Sequence, residues 1–75
     1  MKTSKDGWTK HESSHITHSK YDAMNGTLDI KFHNGSVYRH YGVPPSEHQA
    51  FMNAPSQGIY HSNFIKNSYP VEQIA

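Results

Sequence analysis

Histidine is the residue whose frequency first suggests chemistry in this sequence. The 75-residue chain contains seven histidines, no cysteine and a formal net charge of +1. Imidazole groups act as acids or bases, bind transition metals, and gain positive charge below about pH 6.5. His15 and His18 form an HxxH pattern. If this segment is a strand, residues three apart point to opposite faces, and no cysteine or carboxylate set completes a ligand group. We therefore expect no metal site.

Serine, histidine and aspartate are present, but their spacing matches no catalytic motif. The sequence has no nucleophile elbow, no HExxH motif, no glycine-rich phosphate loop after a strand and no carboxylate pair at a plausible cleft spacing. A triad can be drawn on paper in many chains of this composition, so it carries no weight without geometry. We expect a protein that is not an enzyme, with no catalytic residues and no cofactor.

Aromatic and cationic residues provide a better candidate site. Bases stack on aromatic rings and phosphates pair with cations, so both types on one sheet face suit nucleic-acid binding. The predicted contact residues are Lys31, Tyr38, Arg39, His40, Asn63 and Lys66. The alternative is that Tyr38 and His40 pack beneath helices, with only their polar tips in water. The small net charge excludes a strongly basic surface, so any nucleic-acid contact is expected to be local.

Three strand patterns occupy the first half of the chain and must position these residues. Residues 15–22 mix β-branched, aromatic and polar types and predict the first strand. Residues 27–33 alternate apolar and polar side chains with period two and predict the second. Asn34 and Gly35 favour a type I′ turn, after which residues 36–41 resume the strand pattern.

The turn decides which residues share a sheet face. A two-residue turn would pair Phe32 with Val37 and Lys31 with Tyr38. The predicted core face then carries Leu28, Ile30, Phe32, Val37 and Tyr41, and the other face carries Asp29, Lys31, Tyr38 and His40. A longer or bulged turn would exchange the faces of the third strand. The sequence leaves open which face the helices cover.

Two short helices are predicted after the sheet. Ser46 to Gln49 has the form of a capping box, and Pro55 ends the first helix. Ser56 can cap a second helical segment with apolar residues Ile59, Tyr60, Phe64 and Ile65. The predicted core residues are Leu28, Ile30, Phe32, Val37, Phe51 and Phe64. The expected fold class is α+β: a three-stranded antiparallel meander followed by two short helices packed on one face, in the order β-β-β-α-α.

A chain of this length holds one hydrophobic core. We expect a loose N-terminal arm over residues 1–12, a single domain over residues 13–70 and a short extended tail over residues 71–75. The lysines of the arm have no apolar run behind them, so the arm resembles neither a signal peptide nor a membrane anchor. The absence of cysteine fits a reducing compartment. We therefore expect a cytoplasmic protein, with a monomer favoured.

The order and spacing of these motifs resemble the KTSC domain. This short family is named for its occurrence at the C-terminus of some lysyl-tRNA synthetases, and it also occurs as stand-alone bacterial and phage proteins. The matching positions are Ser13, Ser14, Ile16, Tyr21, Asp22, Leu28, Ile30, Phe32, Asn34, Gly35, Tyr38, Val43, Pro44, Ala54, Ser56, Gly58, Tyr60, Ile65 and Tyr69. The resemblance implies an accessory binding module without catalytic residues, and the synthetase context suggests RNA as its ligand. One position departs, since the family's central Tyr-x-Tyr has His40 in place of its second tyrosine here.

The alternative function is a protein-interaction module, such as a phage or mobile-element factor that binds a host protein. A nearly neutral net charge with several exposed tyrosine, histidine and asparagine residues suits a polar protein interface. The candidate anchors are Trp8, Tyr38, Tyr41 and Tyr60. An exposed edge of the first or third predicted strand would also accept a partner strand. Salt separates the two functions, because nucleic-acid binding weakens as the salt concentration rises.

Overall fold

The sheet contains six antiparallel strands whose spatial order is the same as their order along the chain. The computed structural model describes residues 7–75 and the backbone of residues 2–3. The strands are β1 (Lys2–Thr3), β2 (Thr9–Lys10), β3 (Ile16–Asp22), β4 (Thr27–Phe32), β5 (Val37–His40) and β6 (Val71–Gln73). Between β5 and β6 the chain forms α1 (Pro45–Asn53), α2 (Gln57–Tyr60) and a π-helical turn (His61–Ile65).

The α+β class is confirmed, but the predicted number of strands was wrong. Three strands were expected, and the sheet adds β1 and β2 beside β3 and adds β6 beside β5. Residues 2–3 and 9–10 of the expected loose arm are therefore part of the sheet, and residues 1 and 4–6 of the arm lie outside the described residues. Strands of two or three residues are too short to show an alternating pattern, which is why the sequence did not reveal them.

The turn between β4 and β5 sets a register one residue away from the expected one. Lys31 pairs with Val37, whereas the two-residue turn had paired Val37 with Phe32. The turn is longer because the amide of Phe32 donates to the carbonyl of Ser36 at 2.9 Å. Gly35 has a φ angle of 88°, a left-handed conformation that glycine adopts without steric cost. The longer-turn alternative is therefore the correct one.

The shifted register exchanges the two faces of β5. His40 lies opposite Leu28 and Tyr38 lies opposite Ile30, so both share the helix-covered face with these core residues. Tyr41, which was expected on the core side, is 37% exposed on the opposite face. The prediction that Tyr38 and His40 face away from Leu28 and Ile30 was wrong, because one residue of slip reverses every side chain of a strand.

The hydrophobic core lies between the inner face of the sheet and the helical segment, which comprises α1, α2 and the π-helical turn. It consists of Ile16, Leu28, Ile30, Val43, Phe51 and Ile65. Val37 is also buried, although it lies on the opposite face beside Lys31, and Phe32 packs against the core while partly exposed. Phe64 was expected in the core but is 53% exposed. The helical turn that buries Ile65 leaves Phe64 on the solvent side, in contact with the ring of Tyr60 at 4.7 Å.

The two helices differ in how they begin. α1 starts at Pro45, one residue before the predicted capping box, and no side chain caps it. Proline suits the first helical position because the missing amide hydrogen would have no partner there. The predicted cap of the second helix is present, since Ser56 Oγ accepts a hydrogen bond from the amide of Ile59 at 3.3 Å. No helix in the described part of the chain is long and apolar enough to cross a membrane.

Glu47 of α1 binds two tyrosines that follow it in the chain. The hydroxyl of Tyr60 donates to one carboxylate oxygen, and the hydroxyl of Tyr69 donates to the other at 3.0 Å. The hydrogen bond to Glu47, followed by burial, raises the pKa of Tyr60 to about 12. Hydrogen bonds to a charged group are among the stronger ones in proteins. Glu47 therefore links α1 to residues 60 and 69. Tyr60, a candidate anchor for a partner protein, has a structural role here.

Replacing Glu47 with glutamine should lower the pKa of Tyr60 from about 12 toward its ordinary value of 10.0. The reason is that the negative charge of Glu47 favours the protonated phenol of Tyr60 and opposes its ionisation, and glutamine lacks this charge. Absorbance titration of tyrosinate, with Tyr60→Phe used to assign the signal, measures this change. Glu72→Gln is the matched control, because Glu72 binds Tyr41 on the other face of the sheet. An unchanged high pKa for Tyr60 in Glu47→Gln would contradict the assignment.

Candidate functional site

A groove of about 740 Å³ opens between β5, the turn that precedes it and the helical residues 58–66. Four of the six predicted contact residues line this groove: Tyr38, His40, Asn63 and Lys66. The structure also brings Phe32, His15, His33 and His61 to the same groove. The groove is therefore the place where most of the predicted contact residues meet.

The other two predicted contact residues lie on the opposite face of the sheet. Arg39 Nε donates to one oxygen of Asp29 at 2.8 Å, and Nη2 donates to the other at 3.0 Å. This hydrogen-bonded carboxylate raises the pKa of Arg39 further above its already high value. Lys31 is on the same face as Asp29, two residues further along β4. The prediction that Lys31 shares a face with Tyr38 was therefore wrong, and Arg39, which was expected to reach round the sheet edge, is paired with Asp29 on the face of Lys31.

His40 and His61 form a buried imidazole pair at the base of the groove. Their Nε2 atoms are 3.0 Å apart, and Nδ1 of His40 lies 3.2 Å from the carbonyl oxygen of Leu28. His40 is 1% exposed and His61 is 6% exposed. Burial lowers the pKa of His61 to about 4 and also lowers the pKa of His40. Both rings are therefore neutral near pH 7, and His40 packs beneath the helices as the alternative interpretation had it.

Aromatic rings form the wall of the groove beside this pair. The ring of Phe32 meets Tyr38 edge-on at 5.7 Å and meets His61 edge-on at 5.5 Å. Tyr38 is half-buried, so part of its ring faces the groove. Its hydroxyl donates to Gln73 Oε1 of the last strand at 3.4 Å. The groove thus combines flat apolar surface with imidazole nitrogen, while Asn63 and Lys66 stand exposed at its edge.

The helical wall of the groove depends on two local features. In the π-helical turn the amide of Lys66 donates to the carbonyl of His61 at 2.8 Å, five residues earlier. Such turns are rare in proteins, and those that occur are often found at functional sites. Gly58 is buried against the residues before β3, and a Cβ there would lie 3.1 Å from both Ser13 Oγ and His15 Cδ2. The absence of a side chain at Gly58 lets α2 approach close enough to form the groove.

His61 is the residue of the site that sequence reasoning missed. It lies four residues before Ile65, which is buried in the core. Residues four apart share one face of a helix, so His61 occupies a position where an apolar residue would be ordinary. A histidine at such a position was the available signal. Its position next to His40 could not be predicted from local patterns, because that contact joins two distant parts of the chain.

The histidines do not assemble into a metal centre. Within residues 7–75, no group of three or more histidine, aspartate and glutamate side chains is arranged to hold a metal ion. The HxxH residues separate, since His15 lines the groove while His18 lies near the ring of Trp8 at 6.5 Å. The arrangement is therefore better suited to hydrogen bonding and ring contacts than to metal binding.

The fold and the groove together define a small α+β domain with one face of its sheet covered by helices. The sequence profile of the KTSC domain family matches residues 12–69. A crystal structure of a KTSC domain protein from Yersinia pestis shares the fold, with a TM-score of 0.85 and 35% identity, covering 91% of this chain and 96% of that chain. The chain belongs to the KTSC domain family, as the sequence motifs had indicated.

Relatives of this chain occur both within larger enzymes and as small proteins. A lysine–tRNA ligase from Nostoc punctiforme is 41% identical over 66 residues, and one from Trichormus variabilis is 38% identical over 66 residues. Each match covers 88% of this chain but 12% of the ligase. An uncharacterized protein from Stutzerimonas stutzeri is 33% identical over 55 residues, which is 78% of its length. The chain therefore corresponds to a small part of the ligases and to most of the small relative.

Proposed function

We propose that this chain is a non-catalytic accessory module that binds single-stranded RNA in the groove. The observation that carries the proposal is the meeting of Tyr38, Asn63 and Lys66 in one groove with the rings of Phe32 and His61. Family members occur as segments of lysine–tRNA ligases, proteins whose name states that they act on a tRNA. An RNA ligand for this chain is consistent with that setting.

The groove has the surfaces that an unpaired nucleotide needs. The half-buried ring of Tyr38 offers a face on which a base can stack, and such stacking is worth about 1–3 kcal/mol per base. Lys66 lines the groove at its edge, and its ammonium group can pair with a phosphate. Bases in a duplex are stacked on each other and are not available to this ring, so the proposal specifies single strands. Among residues 7–75, Lys66 is the lysine that lines the groove, so affinity is expected to be modest.

An NMR titration tests the proposal. The ¹⁵N-labelled domain is titrated with short oligo(U), oligo(A) and a duplex RNA at low and moderate salt. We expect salt-sensitive shifts of amides around Tyr38, His61 and Lys66 with a single-stranded RNA and smaller shifts with the duplex. The absence of any shift at millimolar RNA would refute RNA binding, and shifts centred on Arg39 and Lys31 would place the contact on the opposite face.

Lys66→Ala should weaken RNA binding and reduce its dependence on salt. Loss of one phosphate contact lowers the slope of log affinity against log salt by about 0.7 for a single strand. Lys31→Ala is the matched control, since it removes the same charge from the opposite face of the sheet. Fluorescence anisotropy of a labelled oligonucleotide at several salt concentrations measures both quantities. Equal losses in the two variants would mean that lysine charge acts without regard to the groove.

A protein-interaction function has one specific observation in its favour. Ile59 is 60% exposed and Phe64 is 53% exposed on the helical segment. An exposed apolar patch is typical of protein-binding surfaces. The edges first proposed for a partner strand are occupied, because β2 covers β3 and β6 covers β5. A partner captured from the native host at moderate salt and lost with Ile59→Ser or Phe64→Ser would support this second function.

A further inference from the structure

The hydrogen bonds of the imidazole pair fix which nitrogen of each ring carries a proton. A carbonyl oxygen can only accept, so Nδ1 of His40 must donate to Leu28. A neutral His40 protonated at Nδ1 has a bare Nε2, which can only accept. The hydrogen bond between the rings is therefore donated by Nε2 of His61. In a neutral ring this leaves Nδ1 of His61 without a proton, as a hydrogen-bond acceptor.

This acceptor atom belongs to a ring that lines the groove. The hydrogen bond that His61 makes with another described side chain uses Nε2. Within residues 7–75, the buried side-chain nitrogens without a partner are Nδ1 of His11 and Nδ1 of His18. Nδ1 of His61 is not among them and has no hydrogen bond with another described residue, so it keeps some exposure to solvent although the residue as a whole is 6% exposed. A buried ring thus presents one fixed acceptor to whatever enters the groove.

We infer that Nδ1 of His61 accepts a hydrogen bond from an N–H group on the edge of an RNA base stacked against Tyr38. This inference rests on the proposed function and deepens it. The floor of the groove carries a neutral hydrogen-bond acceptor, which attracts an N–H group and repels the oxygens of a phosphate. The nucleobase therefore enters the groove with its edge first, while the phosphate of the same nucleotide stays outside beside Lys66.

The direction of the hydrogen bond cannot reverse at neutral pH. An additional proton on Nδ1 of His61 would make the ring a cation. A proton moved there from Nε2 would require the hydrogen bonds from His61 to His40 and from His40 to Leu28 to be given up. The first is opposed by burial and by the neighbouring His40 and Lys66, and the second would leave the Leu28 carbonyl or an imidazole nitrogen unpaired. The preference for an N–H donor is thus built into the sheet and the helical turn together.

The proton positions can be tested without RNA. Long-range ¹H–¹⁵N NMR spectra of the imidazole rings at pH 7.5 distinguish the two neutral tautomers and the cation. We expect His40 to carry its proton on Nδ1 and His61 to carry its proton on Nε2. A proton on Nδ1 of His61, alone or in addition to Nε2, would overturn the inference and leave the proposed RNA binding untouched.

The hydrogen bond itself is tested by changing the RNA, which leaves the fold of the protein unaltered. Oligo(U) is compared with oligonucleotides of N3-methyluridine, which lack the N–H group, and of 5-methyluridine, which carry the methyl group elsewhere. For oligo(A) the corresponding pair is N6,N6-dimethyladenosine and 2-methyladenosine. We expect the blocked base to bind about tenfold more weakly or worse, because a buried acceptor loses its partner, and the control base to bind as the unmodified one does.

Each result of this comparison has a definite meaning. Equal binding of the blocked and control oligonucleotides would overturn the role of His61, while the RNA-binding function would stand. Equal weakening of RNA binding by both methyl groups would also overturn it, since the added volume of the methyl group would then explain the loss. Failure of every single-stranded RNA to bind at millimolar concentration would refute the proposed function and the inference with it.

Discussion

Lowering the pH from 6.5 to about 4 should remove roughly 3 kcal/mol of stability for each of His11 and His61. Burial lowers the pKa of both rings from 6.5 to about 4. Each unit of pKa shift corresponds to about 1.4 kcal/mol. Well above pH 6.5 both rings are neutral in the folded and the unfolded chain, and no stability is lost. As the pH falls from 6.5 toward 4, the unfolded chain takes up these protons first, so unfolding is favoured.

After burial, titratable groups near these two rings contribute to the same lowering of their pKa. His18 and His48 lie near His11, and His40 and Lys66 lie near His61, so each new positive charge meets others. The pKa of His40 is lowered as well, by burial, and adds in the same direction. Domains of this size have total stabilities of roughly 5–15 kcal/mol. The domain should therefore unfold in mild acid.

Urea denaturation followed by circular dichroism at pH 7, 6, 5 and 4.5 measures this loss. His61→Gln provides the comparison, because its amide can still donate to His40 Nε2 while no longer titrating. That variant should be less stable at pH 7 but should lose less stability between pH 6.5 and 4. A free energy of unfolding that stays constant from pH 7 to 4.5 would show that the buried rings are protonated without cost.

Phe51→Ala should destabilise the domain by about 3–5 kcal/mol, whereas Phe64→Ala should cost less than about 1 kcal/mol. Phe51 is 0% exposed, and its ring contacts His11 at 5.4 Å and Tyr60 at 6.4 Å. Truncation there leaves a cavity between the sheet and the helices. Phe64 is 53% exposed, so its truncation removes surface contacts and creates no cavity.

The two phenylalanines form a matched pair, since the same atoms are deleted from one helical segment in each case. Chemical denaturation at pH 7 gives both free energies of unfolding, and an NMR spectrum shows whether Phe51→Ala remains folded. A loss of several kcal/mol in Phe64→Ala, comparable to that in Phe51→Ala, would mean that Phe64 is buried in solution and that the helical turn packs differently.

Local patterns predicted the elements that are long enough to have a pattern. The alternation of residues 27–33 marked β4, and Ser56 marked the start of α2. The same reasoning placed Phe64 in the core, because it counted apolar residues without knowing that the turn from His61 is π-helical. Which residues of a short helical segment face inward depends on its packing, and packing is not encoded in a local pattern.

The candidate site was predicted in part for a related reason. Tyr38, Asn63 and Lys66 were recognised by residue type, and the structure brings them to one groove. Lys31 was assigned to the same face because the register was taken from a two-residue turn. One extra residue in that turn separates Lys31 from Tyr38 by the thickness of the sheet. A turn's length is decided by the packing of both strands, so neither face could be assigned from Asn34 and Gly35 alone.

The order of the strands also has a consequence for how the chain folds. β2 to β5 each pair with the strand that comes just before them, so most of the sheet can form from local contacts and should form quickly. β6 follows both helices in the chain, so its pairing with β5 has to wait until the helical residues have been synthesised. During synthesis the edge of β5 is therefore open until residues 71–73 leave the ribosome. In that interval a second nascent chain can pair with it, and the helical segment's rate of folding sets how long the interval lasts.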